Sequence, residues 1–486
     1  MAKIGIIGGG ISGLVIAFLL QQKGHSVRVF ERSDQAGGAM KSTREPSGWV
    51  AEWGPNTILE SSGRIQKLIT ILELEAKRRY VSPDAKKRYV VRNGSMVAVP
   101  ESPGKLVRTS LLSRHAKFRL LREPFIRRKR SSTDESVADF VRRRLGEEFL
   151  QWPVDALVGG IYAGDPEKLS IRHGFPRLAQ LEEQHGSLLL GQIKGGVKRP
   201  ATSDEIPRNK AQAFSFDDGL QALPEALCNK LGRSIALQSP VSSVHTQGTN
   251  DIPASWKYRA SADQDKPAGS RWQIKFPSGS NRPETFDAMV YAGPAHGMDS
   301  ILFPDSMKSS IKKLAGINYP PVVSLTLGFR RSQIEHTLDG FGVLVPGIEH
   351  FPILGTLFIS SLFEKRAPDP EHVTLTSYLG GTRQPEIALK PEDEQIRLVM
   401  ESLQKLIGLR GDPVYRHRIL WAKAIPQYHI GYHRYLEAMD EMERTHPGFY
   451  LAGNYRTGIS VGDTINAAFD LAERIDRENR NPNLKS

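Results

Sequence analysis

Residues 4–22 carry no charge, yet five of them are glycines: Gly5, Gly8, Gly9, Gly10 and Gly13. An apolar run of this length invites a membrane-spanning helix, but a glycine triplet at its centre would break one. Only Lys3 precedes it as a charge and no small-residue cleavage site follows, so it does not read as a signal peptide either. The run divides more naturally into a short buried strand at 3–7, a tight turn at 8–10 and a helix at 11–23. The β-branched, apolar stretch 26–31 then adds a second strand, making a β-α-β unit. Gly8-x-Gly10-x-x-Gly13 sits at the turn, with Glu31 ending the second strand 18 residues beyond Gly13. A lone motif of this kind is weak, but here it has its strand, its helix and its acid in place. Glycines at the turn let backbone approach a pyrophosphate, and the helix start at Ile11 and Ser12 offers amides and a partial positive charge. Glu31 can accept from the ribose hydroxyls of an adenosine half. The choice between a nicotinamide and a flavin dinucleotide stays open on these residues, because Arg32 beside Glu31 is compatible with a 2′-phosphate.

Elsewhere the chain is globular. Its 486 residues suggest two to four domains, and 39% hydrophobic with 24% charged residues excludes a disordered or fibrous protein. Lys and Arg number 66 against 53 Asp and Glu, and the resulting +13 favours an anionic partner: nucleic acid, acidic lipid or a carboxylate substrate. Cys228 is the only cysteine, which removes disulfide frameworks and metal sites built on several thiolates and suggests a reducing compartment. Residues 105–130 hold ten Lys or Arg and one acid, Glu123, with Arg142, Arg143 and Arg144 shortly after. Leucines and phenylalanines interleave with these charges, as in amphipathic helices. An anionic-lipid surface and a solvated basic face both fit this pattern; nucleic acid fits less well, since no aromatic ladder or helix-turn-helix signal accompanies the charge. Residues 194–213 and 246–270 are polar and read as mobile loops. His429 and His433 are four apart, but Gly431 between them favours a structural role over metal ligation.

Gly37-Gly38 and Glu52-Trp53-Gly54-Pro55-Asn56-Thr57 resemble the flavin amine oxidase superfamily, whose members bind FAD. So does the far end, where an expected strand at 449–453 leads to Gly458-Ile-Ser-Val461-Gly462-Asp463 and an apolar helix to about residue 475. A positive helix end beside the flavin pyrimidine would stabilise its anionic reduced form. More specific stretches resemble one branch, the oxygen-dependent protoporphyrinogen oxidases. They are residues 85–94 (Ala-Lys-Lys-Arg-Tyr-Val-Val-Arg-Asn-Gly), 159–166 (Gly-Gly-Ile-Tyr-Ala-Gly-Asp-Pro), 338–346 (Leu-Asp-Gly-Phe-Gly-Val-Leu-Val-Pro), 380–383 (Gly-Gly-Thr-Arg), 425–428 (Ile-Pro-Gln-Tyr) and 453–455 (Gly-Asn-Tyr). The resemblance runs from residue 3 to about 475.

The resemblance implies an α/β architecture in three parts. A Rossmann-like FAD-binding domain would take residues 1–73, 214–295 and 414–486, a mixed α+β substrate domain 74–95 and 296–413, and a helical, basic membrane-binding domain 96–213. The implied reaction removes six electrons from a porphyrinogen in three rounds of hydride transfer to FAD, with oxygen reduced to peroxide each time. No protein nucleophile, acid–base residue or metal is required. Family matches place Arg88 on a substrate propionate, Leu344, Leu357 and an aromatic at Tyr378 around the tetrapyrrole, and Gly160 where backbone must come close. Tyr378 departs from the phenylalanine often found there, and its hydroxyl needs a partner. Gly8, Gly9, Gly10, Ile11, Ser12, Gly13, Glu31, Arg32, Gly38, Gly54, Pro55, Asn56, Thr57, Val241, Trp421, Val461, Gly462 and Asp463 are the expected cofactor residues. Implied partners are the porphyrinogen, molecular oxygen, an anionic membrane surface, a ferrochelatase and a second copy of the chain, with no nucleic acid. The expected location is the cytoplasmic face of a bacterial membrane, or alternatively the mitochondrial inner membrane, and the fingerprint at residue 3 leaves little room for a cleaved presequence. Two other readings remain: the same chemistry on coproporphyrinogen III, and a flavin-bearing membrane-surface scaffold without turnover.

Overall fold

The computed structural model describes residues 1–100, 102–129, 133–194, 206, 211–246, 272–277 and 282–480. Most of the two segments expected as mobile loops lies outside the described residues. Five parallel strands form the first sheet, in the order Ile235–Ala236, Ser26–Phe30, Lys3–Ile7, Ala288–Tyr291 and Phe449–Leu451. Ile4, Ile6, Val29 and Val290 are fully buried, as strands covered on both faces must be. One cover is the helix Ile11–Gln22, which packs Leu14, Val15 and Phe18 with Ala468, Phe469 and Ala472 of the helix Val461–Arg480. The strands all end on one edge, where Ile7 runs into the glycine turn, Phe30 into Glu31 and Leu451 into the 453–463 turn. In parallel sheets ligands bind at this edge.

A second, seven-stranded sheet runs Tyr415–Trp421, Val322–Arg330, His372–Gly380, Gly355–Leu357, Gly340–Leu344, Lys87–Arg92 and Ser95–Ala98. Its strands pair antiparallel, apart from Gly340–Leu344 with Lys87–Arg92, where the register shifts between Gly340 and Gly342. Val322 pairs with Trp421 and Gly328 with Tyr415, so this sheet extends past residue 413, where the sequence reading ended its last piece. It likewise takes in Ser95–Ala98, across the boundary drawn at 95. One face is apolar: Tyr89, Val91, Val323, Leu325, Val343, Leu375 and Leu379 pack on Ile396, Val399 and Leu403 of the helix Glu392–Ile407. Local chemistry agrees with that helix, with three acids in its first turn and a left-handed Gly408 after its last. The other face meets residues 49–57, and there the site is built.

Between residues 103 and 193 the chain folds into short helices, several capped by serine hydroxyls at Ser113, Ser136, Ser170 and Ser187. Their outer surface leaves Val107, Phe118, Leu121, Phe125 and Ile193 largely exposed. No described helix is long and apolar enough to cross a membrane.

Candidate active site

At the nucleotide end, a Cβ on Gly13 would lie 2.1 Å from the Gly8 carbonyl oxygen, so only glycine lets the helix start this close to the turn. Gly8 itself has φ +111°, open to glycine and few others. A Cβ at Gly10, by contrast, would meet no atom of the described residues within 4 Å. The paired glycines lock onto this turn: Gly37 N–H donates to the Gly9 carbonyl at 2.7 Å, and Gly38 lies against Gly10. Glu31 is buried; Oε2 accepts from Gly9 N–H at 2.7 Å, and Oε1 from the Ser33 amide and hydroxyl at 2.9 and 2.8 Å. Those bonds fix the carboxylate at the strand end with one acceptor site remaining on Oε2. Arg32 is exposed beside it, while Ser239 N–H donates to the Glu31 carbonyl at 2.8 Å and carries buried Val241 into the same corner.

The opposite end is built where residues 49–57 lie across the large sheet. Trp49 stacks on Tyr415 at 5.0 Å, and Trp421 Nε1–H donates to the Trp53 carbonyl at 2.8 Å. Asn56 Nδ2 donates to the Gly54 carbonyl at 3.3 Å and to the Tyr378 hydroxyl at 2.5 Å, and that hydroxyl in turn donates to the Gly54 carbonyl at 3.4 Å. The Tyr378 hydroxyl therefore finds its partners on the expected cofactor segment. Burial, with Glu52 nearby, pushes its pKa up and keeps it protonated. Pro55 and Thr57 flank Asn56 and are half-buried. The helix starting at Val461 is held by Asp463 N–H donating to Ser460 Oγ at 3.0 Å, and Gly462 packs against Leu59.

Cross-strand register sets the substrate side. Arg88, Gly342, Leu357 and Thr376 stand opposite one another, as do Val90, Leu344, Gly355 and Tyr378 two residues on. Alternation then puts Arg88, Leu344, Leu357, Tyr378 and Trp421 on one face. Arg88 is exposed, its guanidinium 5.4 Å over the Phe341 ring, with no carboxylate partner among the described residues. Its neighbours are engaged. Lys87 pairs with Asp339, whose carboxyl is held down to about 2 by Lys87 and by the Tyr89 hydroxyl, and Arg92 pairs with Glu148 at 2.8 Å. At Gly160 a Cβ would fall 2.4 Å from Leu344 Cδ2. The close approach here is made by the Leu344 side chain against the helix Asp155–Tyr162.

Sequence reasoning missed three contributors. Phe341 underlies Arg88. Asp155 pairs with Arg383 and accepts from Gly347 N–H, tying the helix with Gly160 to the large sheet. Arg366, almost fully buried, donates to Ser215 Oγ and the Phe216 carbonyl at 2.8 Å, 4.0 Å from Glu52, whose carboxyl pKa burial raises. Such pairings span 150 residues or more and leave no local signal. His429 and His433 form no metal cluster among the described residues.

The residues fit a flavin dinucleotide: a glycine turn with open space at Gly10, a fixed acid at Glu31, and a buried Asn56 whose Oδ1 has no partner among the described residues. A family model described as flavin containing amine oxidoreductase matches residues 11–476. The chain is 34% identical to Protoporphyrinogen oxidase 2, chloroplastic/mitochondrial, of Arabidopsis thaliana, over 97% of this chain and 93% of that protein. It is 26% identical to a Coproporphyrinogen III oxidase of Bacillus subtilis (strain 168), over 95% of each. The crystal structure of a candidate protoporphyrinogen oxidase from Exiguobacterium sp. 255-15 superposes with a TM-score of 0.77 at 20% identity, covering 98% of this chain and 99% of that one, a likeness of fold. The chain belongs to the flavin-containing amine oxidoreductase family, on its protoporphyrinogen oxidase branch, and is an FAD-dependent oxidase.

Proposed function

We propose that this protein oxidises protoporphyrinogen IX to protoporphyrin IX, with oxygen as final acceptor and peroxide as by-product. The observation that carries this is the single sheet face holding Arg88, Leu344, Leu357 and Tyr378, which ends on the Gly54–Asn56 segment. Bound FAD supplies a two-electron hydride acceptor that oxygen regenerates for each of three rounds. The glycine turn and Glu31 would hold its adenosine half, and residues 54–57, Trp421 and the start of the helix at Val461 its ring end. The chain's own work is placement. The Arg88 fork fixes a propionate, Leu344 and Leu357 hold the ring by apolar contact, and Tyr378 closes the stack next to the cofactor segment. The three protons released with the three hydrides, two from pyrrole nitrogen and one from a methylene carbon, can pass to water.

Arg88→Ala should raise KM for protoporphyrinogen IX at least tenfold while the purified protein keeps its flavin, since one charge-assisted bidentate contact is worth about 1.5–3 kcal/mol. An unchanged KM would remove Arg88 from the site. Within the four strands that carry the site, Arg88 and Arg92 are the only Lys or Arg on its face, and Arg92 is spent on Glu148. One free cation suits a substrate with two propionates better than one with four, which favours protoporphyrinogen over coproporphyrinogen III. A paired assay of porphyrin fluorescence from both substrates under oxygen tests this. Faster turnover of coproporphyrinogen would move the enzyme one step earlier, and bound flavin with turnover of neither would leave a scaffold.

The basic segment belongs to this reading as a peripheral surface for anionic lipid. Its turn Glu123–Phe125 packs beside the helix Leu188–Ile193, presenting Phe125 and Ile193 at 88% and 80% exposure among arginines. Such a surface combines apolar insertion with attraction to acidic headgroups. Phe125→Glu with Ile193→Glu should cut sedimentation with phosphatidylglycerol vesicles by at least fivefold without loss of bound FAD. Equal sedimentation would place the lipid contact elsewhere. A homodimer, and a ferrochelatase receiving the product at the membrane face, complete the reading.

A further inference from the structure

Asn56 is over nine-tenths buried, and its side chain is fixed in one orientation. The Gly54 carbonyl can only accept a hydrogen bond, so the Asn56 amide must turn Nδ2 toward it, 3.3 Å away. The Tyr378 hydroxyl holds the same orientation from across the domain boundary, accepting from Nδ2 while donating to the Gly54 carbonyl. Oδ1 is thereby aimed away from both and has no partner among the described residues, though burial of an unpaired acceptor is costly.

We propose that Tyr378 is a positioning residue: its hydroxyl holds the Asn56 amide so that Oδ1 presents an acceptor to a ring N–H bound between residues 54–57 and the sheet face. The inference rests on the function proposed above. Two ring systems of that reading carry such a donor, the flavin imide and the pyrroles of the porphyrinogen, and the chemistry asked of Asn56 is the same for both. Phenylalanine at 378 would keep the stacking ring and lose the hold on Asn56. The hydroxyl thus links the strand that faces the substrate to the segment that faces the cofactor.

The test compares flavin-loaded wild type, Tyr378→Phe, Asn56→Ala and the double variant, by flavin absorption without porphyrin and by the Kd of protoporphyrin IX from fluorescence quenching. Tyr378→Phe is expected either to shift the flavin bands or to weaken protoporphyrin IX binding about threefold to tenfold. Asn56→Ala should move the same readout further, and the double variant should be no worse than Asn56→Ala alone, because Tyr378 acts through Asn56. A band shift assigns Oδ1 to the flavin imide; weaker porphyrin binding with an unchanged spectrum assigns it to a pyrrole. Tyr378→Phe equal to wild type in both readouts, or adding independently to Asn56→Ala, would overturn the positioning role. A wild type that neither retains flavin nor binds porphyrin would overturn the proposed function and this inference with it.

Discussion

Arg144→Ala is expected to destabilise the helical region by about 3–5 kcal/mol, the range for an ion left unpaired inside a protein. Arg144 and Glu123 are both 0% exposed. The guanidinium donates to Glu182 at 2.6 Å, to Glu123 at 3.1 Å, and to the Gly186 and Ile126 carbonyls at 2.6 and 2.9 Å. Glu123 spends its remaining lone pairs on the Ser187 hydroxyl and on the Leu188 and Leu189 amides, so it also caps the helix Leu188–Ile193. Removing the arginine leaves the buried Glu123 carboxylate without its ion-pair partner among the described residues and strains the cap it makes, while Glu182 keeps its pair with Arg143 at 2.7 Å. The loss should appear as a lower first unfolding transition and as faster proteolysis between residues 103 and 193, with the flavin still bound. Arg142→Ala is the control. That residue is 38% exposed in its ion pair with Glu167, and surface pairs contribute roughly 0–1 kcal/mol. Equal melting of the two variants would mean that Arg144 is not what holds these helices together.

The same cluster shows what a sequence conceals. Arg142, Arg143 and Arg144 read as one basic run, yet the helix Val137–Arg144 turns the first to solvent and the last fully inward. Glu123, the lone acid of the basic segment, looks like an interruption and is a buried cap. The partners of Arg144 and Glu123 lie 18 to 66 residues away, beyond any local periodicity. The β-α-β unit is the opposite case: glycine spacing, apolar runs and the acid at 31 are local, and its strands and helix fall within one residue of where they read. Arg88, Leu344, Leu357 and Tyr378 sit between these extremes. Resemblance could name them, but only the register of strands more than 250 residues apart puts them on one face and brings Tyr378 to Asn56. Phe341 and the Asp155–Arg383 pair were invisible for the same reason.

Gly13→Ala should abolish retention of FAD, and Gly10→Ala should weaken it at least a hundredfold, but for different physical reasons. At Gly13 the added carbon would sit 2.1 Å from the Gly8 carbonyl oxygen, a backbone atom with nowhere to go. The helix Ile11–Gln22 must retreat from the turn, disturbing the packing of its Leu14 and Phe18 with Ala468 and Phe469 and costing about 3 kcal/mol of overpacking strain even without cofactor. At Gly10 the backbone is extended, with φ −75° and ψ 176°, which alanine adopts freely, and no atom of the described residues lies within 4 Å of its Cβ position. Alanine there should leave the flavin-free protein as stable as wild type, so any loss of FAD affinity reports a clash with the ligand alone. Thermal melting of the apoproteins and FAD titration of each separate the two effects. A destabilised Gly13→Ala beside a fully stable Gly10→Ala that fails to hold FAD would locate the pyrophosphate at this turn. Wild-type FAD affinity in Gly10→Ala would move it elsewhere, because no described residue competes for the space above Gly10.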